Sequence, residues 1–159
     1  MNTTETEMEP KFQTKSLLGD NLPPMLEQLQ EFLLFPFPYL IGMNNTYILY
    51  EFKGDEFYID LITTEPEHRG KGGTSHVMNY LCELADQTNT TISLIPCDTF
   101  NQTGFGFFET PLQRVRNHIY KIASKRKGKL TLRRLIKWYE RLGFVKQVDS
   151  DKMIRLPKV

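Results

Sequence analysis

The sequence is poor in cysteine and histidine. Cys82 and Cys97 stand alone, without C-x-x-C spacing, and only three histidines are scattered through 159 residues. A disulfide framework and a zinc knuckle are excluded on that count. Three separated imidazoles do not build a zinc site without carboxylate help, so no metal is expected. Long apolar runs are also lacking. The best stretch, Phe32 to Met43, is interrupted by Pro36 and Pro38 and is too short to span a bilayer, so no membrane association is expected. The opening residues, MNTTE, hold neither a basic nor an apolar leader segment, which makes the cytoplasm the expected compartment. Neither sign of charge dominates, the net being +1.

What is present is ordinary globular composition, 40% apolar and 25% charged, which argues against disorder across the chain. The length suits one domain with a real core and not two. Residues 1–10 are polar and acidic and are expected to be a flexible tail. Residues 11–159 are expected to form a single domain. Charge is unevenly placed. Residues 1–67 carry twelve acidic and three basic side chains, whereas residues 111–141 carry eleven basic and one acidic. Such asymmetry indicates either internal pairing or a phosphate-bearing partner.

Periodicity places the elements. Residues 11–18 suit an edge strand, and Gly19-Asp20-Asn21 a turn. Met25, Leu26, Leu29, Phe32 and Leu33 share a helical face behind Pro23 and Pro24, ending at Pro36. Residues 47–52 and 56–63 read as two strands of a hairpin around Lys53-Gly54-Asp55. Val77, Met78, Leu81, Leu84 and Ala85 mark a helix to about Asp86, with Thr74 and Ser75 as candidate N-caps. Thr90 to Ile95 is a further strand. Residues 97–110 read as a loop with a Phe100–Phe108 aromatic cluster. A helix follows from Pro111, then the basic break 125–129, then a helix through Leu132, Leu135, Ile136, Tyr139 and Leu142 with Gly143 at C′. Two short strands, 144–148 and 152–156, close the chain.

The informative feature is the order strand, Arg69-Gly70-Lys71-Gly72-Gly73, helix. Glycines let backbone N–H groups crowd around a ligand, and with the unpaired donors of a helix start they form an anion nest. A P-loop is excluded because G-x-x-x-x-G-K-[ST] is missing. A Rossmann fingerprint fails at its last glycine and follows a hairpin strand, not the first strand of a βαβ unit.

The loop resembles the pyrophosphate loop of the GNAT superfamily of acetyl-CoA-dependent N-acetyltransferases, [Q/R]-x-x-G-x-[G/A], here Arg69-Gly70-Lys71-Gly72-Gly73-Thr74. The preceding Leu61-Ile62-Thr63-Thr64-Glu65-Pro66-Glu67-His68 is similar to the strand that enters it. Lys137-Trp138-Tyr139-Glu140-Arg141-Leu142-Gly143-Phe144 resembles the family's x-F-Y-E-x-L-G-F helix end. The resemblance covers about residues 45–157. It departs at Thr74, which replaces Gly/Ala, and in a long stretch before Leu132 that makes residues 97–130 an expected insertion.

The resemblance implies an α/β GNAT fold: a mixed, mostly antiparallel sheet, flanked by helices, whose central parallel strands splay apart. It implies acetyl transfer from acetyl-CoA to a primary amine by direct attack. Cofactor contacts would come from Ile62, Thr63, Thr64, Arg69, Gly70, Lys71, Gly72, Gly73 and Thr74. Tyr139 would protonate the leaving thiolate, as a phenol of pKa about 10 is protonated at neutral pH. Asp60, alternating with Tyr58 and Ile62 on one strand face, is the candidate base, with Glu51 and Glu65 behind it. A backbone N–H of Ile62–Thr64 would meet the oxyanion. Two other readings stand beside this one. Thr74 suits a degenerate CoA-binding regulator. The basic segment 114–141 suits either a solvated face or a surface for RNA, DNA or the CoA 3′-phosphate, hence an enzyme acting on aminoacyl-tRNA or a modified base. The acceptor is a small-molecule or protein amine, and a homodimer is compatible with the fold.

Overall fold

In the computed structural model the described residues are 23–33, 40–97, 111–124 and 131–158. The expected tail at 1–10, strand at 11–18, turn at 19–21, helix stop at Pro36, phenylalanine cluster at 100–108 and basic break at 125–129 lie outside them.

Helix α1, Pro24–Leu29, starts with proline in its first turn and runs into a 3-10 turn, Gln30–Phe32. Strand β1, Leu40–Met43, was not expected from the sequence, because the two prolines before it disguise the apolar run. Asn44 and Asn45, both at positive φ, turn it back into β2, Thr46–Lys53. Asparagine tolerates this left-handed conformation better than most residues. Gly54 makes the next turn into β3, Glu56–Thr64. A 3-10 turn at Pro66–His68 and the glycine loop lead to α2, Gly73–Gln87, and then β4, Thr91–Leu94. Helices α3, Pro111–Ser124, and α4, Leu132–Arg141, follow, and β5, Val145–Lys146, and β6, Met153–Arg155, finish the sheet. Thr131 caps α4 by accepting from the Arg134 N–H at 3.3 Å, and Gly143, at φ 102°, ends it at C′ as expected.

The sheet order is β1-β2-β3-β4-β6-β5. Every neighbouring pair is antiparallel except the central β3/β4, which is parallel. This is the mixed, mostly antiparallel α/β sheet flanked by helices that the resemblance implies. Its main core joins Met25 and Leu29 of α1 and Met78 and Leu81 of α2 to Ile48, Phe57, Ile92 and Met153 of the strands, all fully buried. Adjacent strand residues point to opposite faces. Thus Ile48 enters the main core while Leu49 joins Leu40 and Ile119 in a smaller one, with Leu61, Tyr47 and Tyr120 around it. Helix α3, inside the expected insertion, therefore covers the second face of the sheet. Among the described residues no helix is long and apolar enough to cross a membrane.

One buried cation fastens the far end. Arg155, 3% exposed, donates twice to Asp86 at 2.9 and 3.0 Å and once to the Leu142 carbonyl at 2.8 Å. It thereby ties β6 to the last turn of α2 and the end of α4. The hydrogen bonds from Arg155 hold the Asp86 carboxyl below its ordinary range. Removing one member strands the other, at a cost of about 3–5 kcal/mol for a buried pair. Asp86→Ala, which strands the buried guanidinium, should lower the unfolding free energy by roughly that amount in a urea titration, and Arg155→Ala by less, because Asp86 is partly exposed and keeps the Lys158 N–H at 2.8 Å. Because Asp86 is depressed in the fold, its contribution is complete above the unfolded carboxyl value and fades as pH falls through the folded one. Asp86→Asn should accordingly flatten the acid limb of the stability–pH curve.

Candidate active site

The site begins where β4 ends and β3 runs on. β3 and β4 pair from Glu56↔Thr91 to Ile59↔Leu94, and there the pairing stops. β3 continues from Asp60 to Thr64, and among the described residues no strand pairs with that stretch on the β4 side. At the same point the β2/β3 register slips. Leu49 faces Leu61 and Tyr50 faces Ile59, so Asp60 is the extra residue of a bulge. The bulge corrects the expected alternation. Tyr58 and Ile62 do not share a strand face, because Ile62 packs on the main core with Phe57 and Ile59 while Leu61 joins the smaller one. Asp60 itself is exposed at the opening.

A cavity of about 640 Å³ follows the open edge. It is lined by Ile59–Thr64, by His68, Arg69, Gly70 and Gly72–Ser75 of the loop and helix start, by Leu94, Ile95 and Cys97 after β4, and by α4. Of the expected contact residues, Ile62, Thr63, Thr64, Arg69, Gly70, Gly72, Gly73 and Thr74 line it together with Asp60 and Tyr139; Lys71 is not in the lining and is exposed.

The glycine loop supplies donors. Gly70 and Gly72 sit at φ 77° and 79°, and a Cβ on either would meet nothing within 4 Å, so the space before the loop is open. Gly72, not Thr74 or Ser75, is the N-cap of α2, and no side chain caps the helix. The first N–H groups of a helix have no intrahelical acceptor. Those of α2 are therefore available to an anion, aided by the positive end of a 15-residue helix. Thr74 lies in the first turn. Its hydroxyl is 2.6 Å from that of Thr64, which is 2.9 Å from that of Thr46. The departure from Gly/Ala is absorbed into a hydroxyl chain linking β2, β3 and α2.

Arg69 has a role that sequence reasoning missed. Its Nε donates to the Thr64 carbonyl at 2.9 Å, and its guanidinium NH2 donates to the Ile122 carbonyl at 2.6 Å. Ile122 is in the last turn of α3, where carbonyls lack intrahelical partners. The first residue of the loop thus caps the helix behind the sheet. A second tether lies beside it. Glu65 accepts from the Tyr47 hydroxyl at 2.7 Å and lies 3.6 Å from His118 Nε2 of α3. That hydrogen bond, then partial burial and the carboxylate charge, push the Tyr47 phenol up to about 12. No sequence pattern announces these pairs, since Arg69 and Ile122 are distant in the chain.

Helix α4 forms the remaining wall. Leu135 and Tyr139 are buried, and the Tyr139 ring packs on Trp138 and Phe144 with centroids 4.9 and 5.5 Å apart. Cys97 is exposed in the lining, whereas Cys82 is buried in α2. Among the described residues no group of His, Cys, Asp and Glu is placed to hold a metal ion.

The β3 stretch beyond β4, a glycine loop leading into a helix that no side chain caps, and a buried tyrosine thus meet in one cavity. The family model for the acetyltransferase (GNAT) family matches residues 24–112. The chain belongs to that family and is an acyltransferase. Two solved structures are similar at low identity. Anti-CRISPR protein AcrVA5 matches with 16% identity and a TM-score of 0.43, over 72% of this chain and 94% of that one. A protein from Bacteroides thetaiotaomicron, described as a GNAT-family acetyltransferase, matches with 15% identity and a TM-score of 0.37, over 100% and 85%. Among curated proteins none matches.

The Arg69 geometry yields a test. Arg69→Ala leaves the Thr64 and Ile122 carbonyls short of a donor and should lower stability by about 1–3 kcal/mol in denaturant titrations without ligand. Arg69→Lys should recover part of it. Were Arg69 a phosphate ligand instead, ligand affinity would fall with stability unchanged.

Proposed function

We propose that this cavity binds acetyl-CoA and transfers its acetyl group to a primary amine. The observation carrying the proposal is the end of β3/β4 pairing at Ile59↔Leu94, beside the glycine loop and inside one cavity with Tyr139. The backbone of Ile62–Thr64 offers hydrogen-bonding groups to the amide-bearing pantetheine arm. The α2 N-terminus and the amides of Gly70–Thr74 offer donors to the pyrophosphate, with Lys71 exposed nearby. Bound there, the thioester supplies an activated acyl group.

Three tasks then fall to this chain. An alkyl ammonium has pKa about 10.4 and must lose a proton before it attacks. Asp60, exposed on its bulge at the cavity wall, is the proposed acceptor, directly or through water. A backbone N–H of Ile62–Thr64 is the proposed donor to the oxyanion. Tyr139, 5% exposed yet lining the cavity, is the proposed acid for the departing thiolate. The alternative of a degenerate CoA binder leaned on Thr74. With its hydroxyl turned to Thr64, that residue gives no reason to disfavour turnover.

Two measurements test the proposal. CoA at a hundredfold over its Kd should stabilise the protein by about 2.7 kcal/mol. Tyr139→Phe should lower kcat by about a hundredfold or more with the KM for acetyl-CoA nearly unchanged, the pattern for a lost general acid. A variant with full kcat would remove Tyr139 from the chemistry.

A further inference from the structure

The cavity wall holds cations that the cofactor's own phosphates leave unexplained. Helical spacing sets Lys137, Trp138 and Arg141 on neighbouring positions of α4, and all three line the cavity with Arg134. Lys137 and Arg141 are exposed and Trp138 is half-buried. Among the described residues no carboxylate pairs with either cation.

The sheet register shows which end of the cavity they occupy. Val145 pairs with Ile154, Ile154 with Ser93, and Ser93 with Tyr58, so these four form one row across the sheet. β5 runs parallel to β4, and the Gly143 turn reverses the chain just before it: the Phe144 N–H donates to the Tyr139 carbonyl at 3.1 Å and the two rings pack with centroids 5.5 Å apart, so α4 runs back from the start of β5. The C-terminal end of α4 is therefore level with the start of β3, on the far side of the Asp60 bulge from the loop. From Ile59 to Thr64 is about 16 Å at 3.3 Å per residue. Along α4, Arg134 lies about 10 Å nearer the loop end than Arg141 does, at 1.5 Å per residue. Arg134 flanks the path of the pantetheine arm. Arg141 lies beyond Tyr139, where a phosphate held by the loop does not reach.

We infer that Lys137, Trp138 and Arg141 form an anion subsite for the acceptor, so that the acetylated amine is carried on a phosphate-bearing molecule. The inference rests on the acetyl-CoA reading above and adds the acceptor class to it. The two cations engage the phosphate, and the indole offers a flat surface to the group that carries it. Asp60, at the bulge between these cations and the loop, takes the ammonium end. A cationic acceptor such as a polyamine would meet repulsion from Arg141.

Calorimetry of the full chain saturated with CoA, titrated at low salt with inorganic pyrophosphate, tests this. One further binding event is expected, weakened at least tenfold in Arg141→Gln and in Lys137→Gln, with CoA affinity kept in both. Arg133→Gln, on α4 but outside the cavity lining, should leave the event unchanged. A single-stranded RNA oligonucleotide as second probe separates the sources. RNA that binds at least tenfold tighter than pyrophosphate, with Arg141 dependence, supports a nucleic-acid acceptor. Equal binding supports a small phosphorylated amine. CoA binding without a second event, or an event untouched by Arg141→Gln, overturns the subsite alone. No heat with CoA itself overturns the cofactor reading as well.

Discussion

The structure depends on a hydrogen-bond ladder that is left unfinished. β3 and β4 pair along the whole of β4, to Ile59 and Leu94, and β3 then runs on along the cavity to Thr64. The rest of the molecule holds that stretch in place. The main core clamps the paired half of β3 through Phe57 and Ile59, and the bulge at Asp60 redirects the strand just where pairing ends. Glycines then bring the α2 start up to the end of that edge.

The supports behind the cavity come from helix α3. Helix α3 sits on the second face of the sheet over Leu40, Leu49 and Leu61, and it is fastened at both ends of the turn entering the loop. Glu65 faces His118, and Arg69 caps the last turn at Ile122. The position of the loop and that of α3 are thereby coupled. On the other side, Arg155 joins α2, α4 and β6 at one buried ion pair, which sets the wall bearing Tyr139 against the helix that begins at the loop. A short row of polar contacts thus positions each side of the cavity.

The glycine loop and the WYERLGF segment were legible because local chemistry dictates them. A glycine-rich run between a strand and a helix has few uses, and Tyr139 with Gly143 announces a helix end. The strands of the central hairpin and the helix from Pro111 were legible by propensity and period. β1 was not, since Pro36 and Pro38 mask the strand that follows. The Asn44-Asn45 pair was its available signal. The Asp60 bulge is invisible to a period-two count, which assumes an unbroken register. Arg69 reads as a phosphate ligand in sequence because its partners are carbonyls of residues 64 and 122, and no side-chain pattern reports a carbonyl. Thr74 reads as an obstruction until its Thr64 partner is seen.

The most direct test of the account is amide hydrogen exchange across Asp60–Thr64 and Gly70–Ser75, with and without CoA. Ligand lying along the open edge and on the helix start predicts slowed exchange in both segments together, with β1 and β6 unaffected. Bound CoA that leaves Asp60–Thr64 exchanging at its free rate would contradict the claim that the β3 stretch beyond β4 forms the binding site.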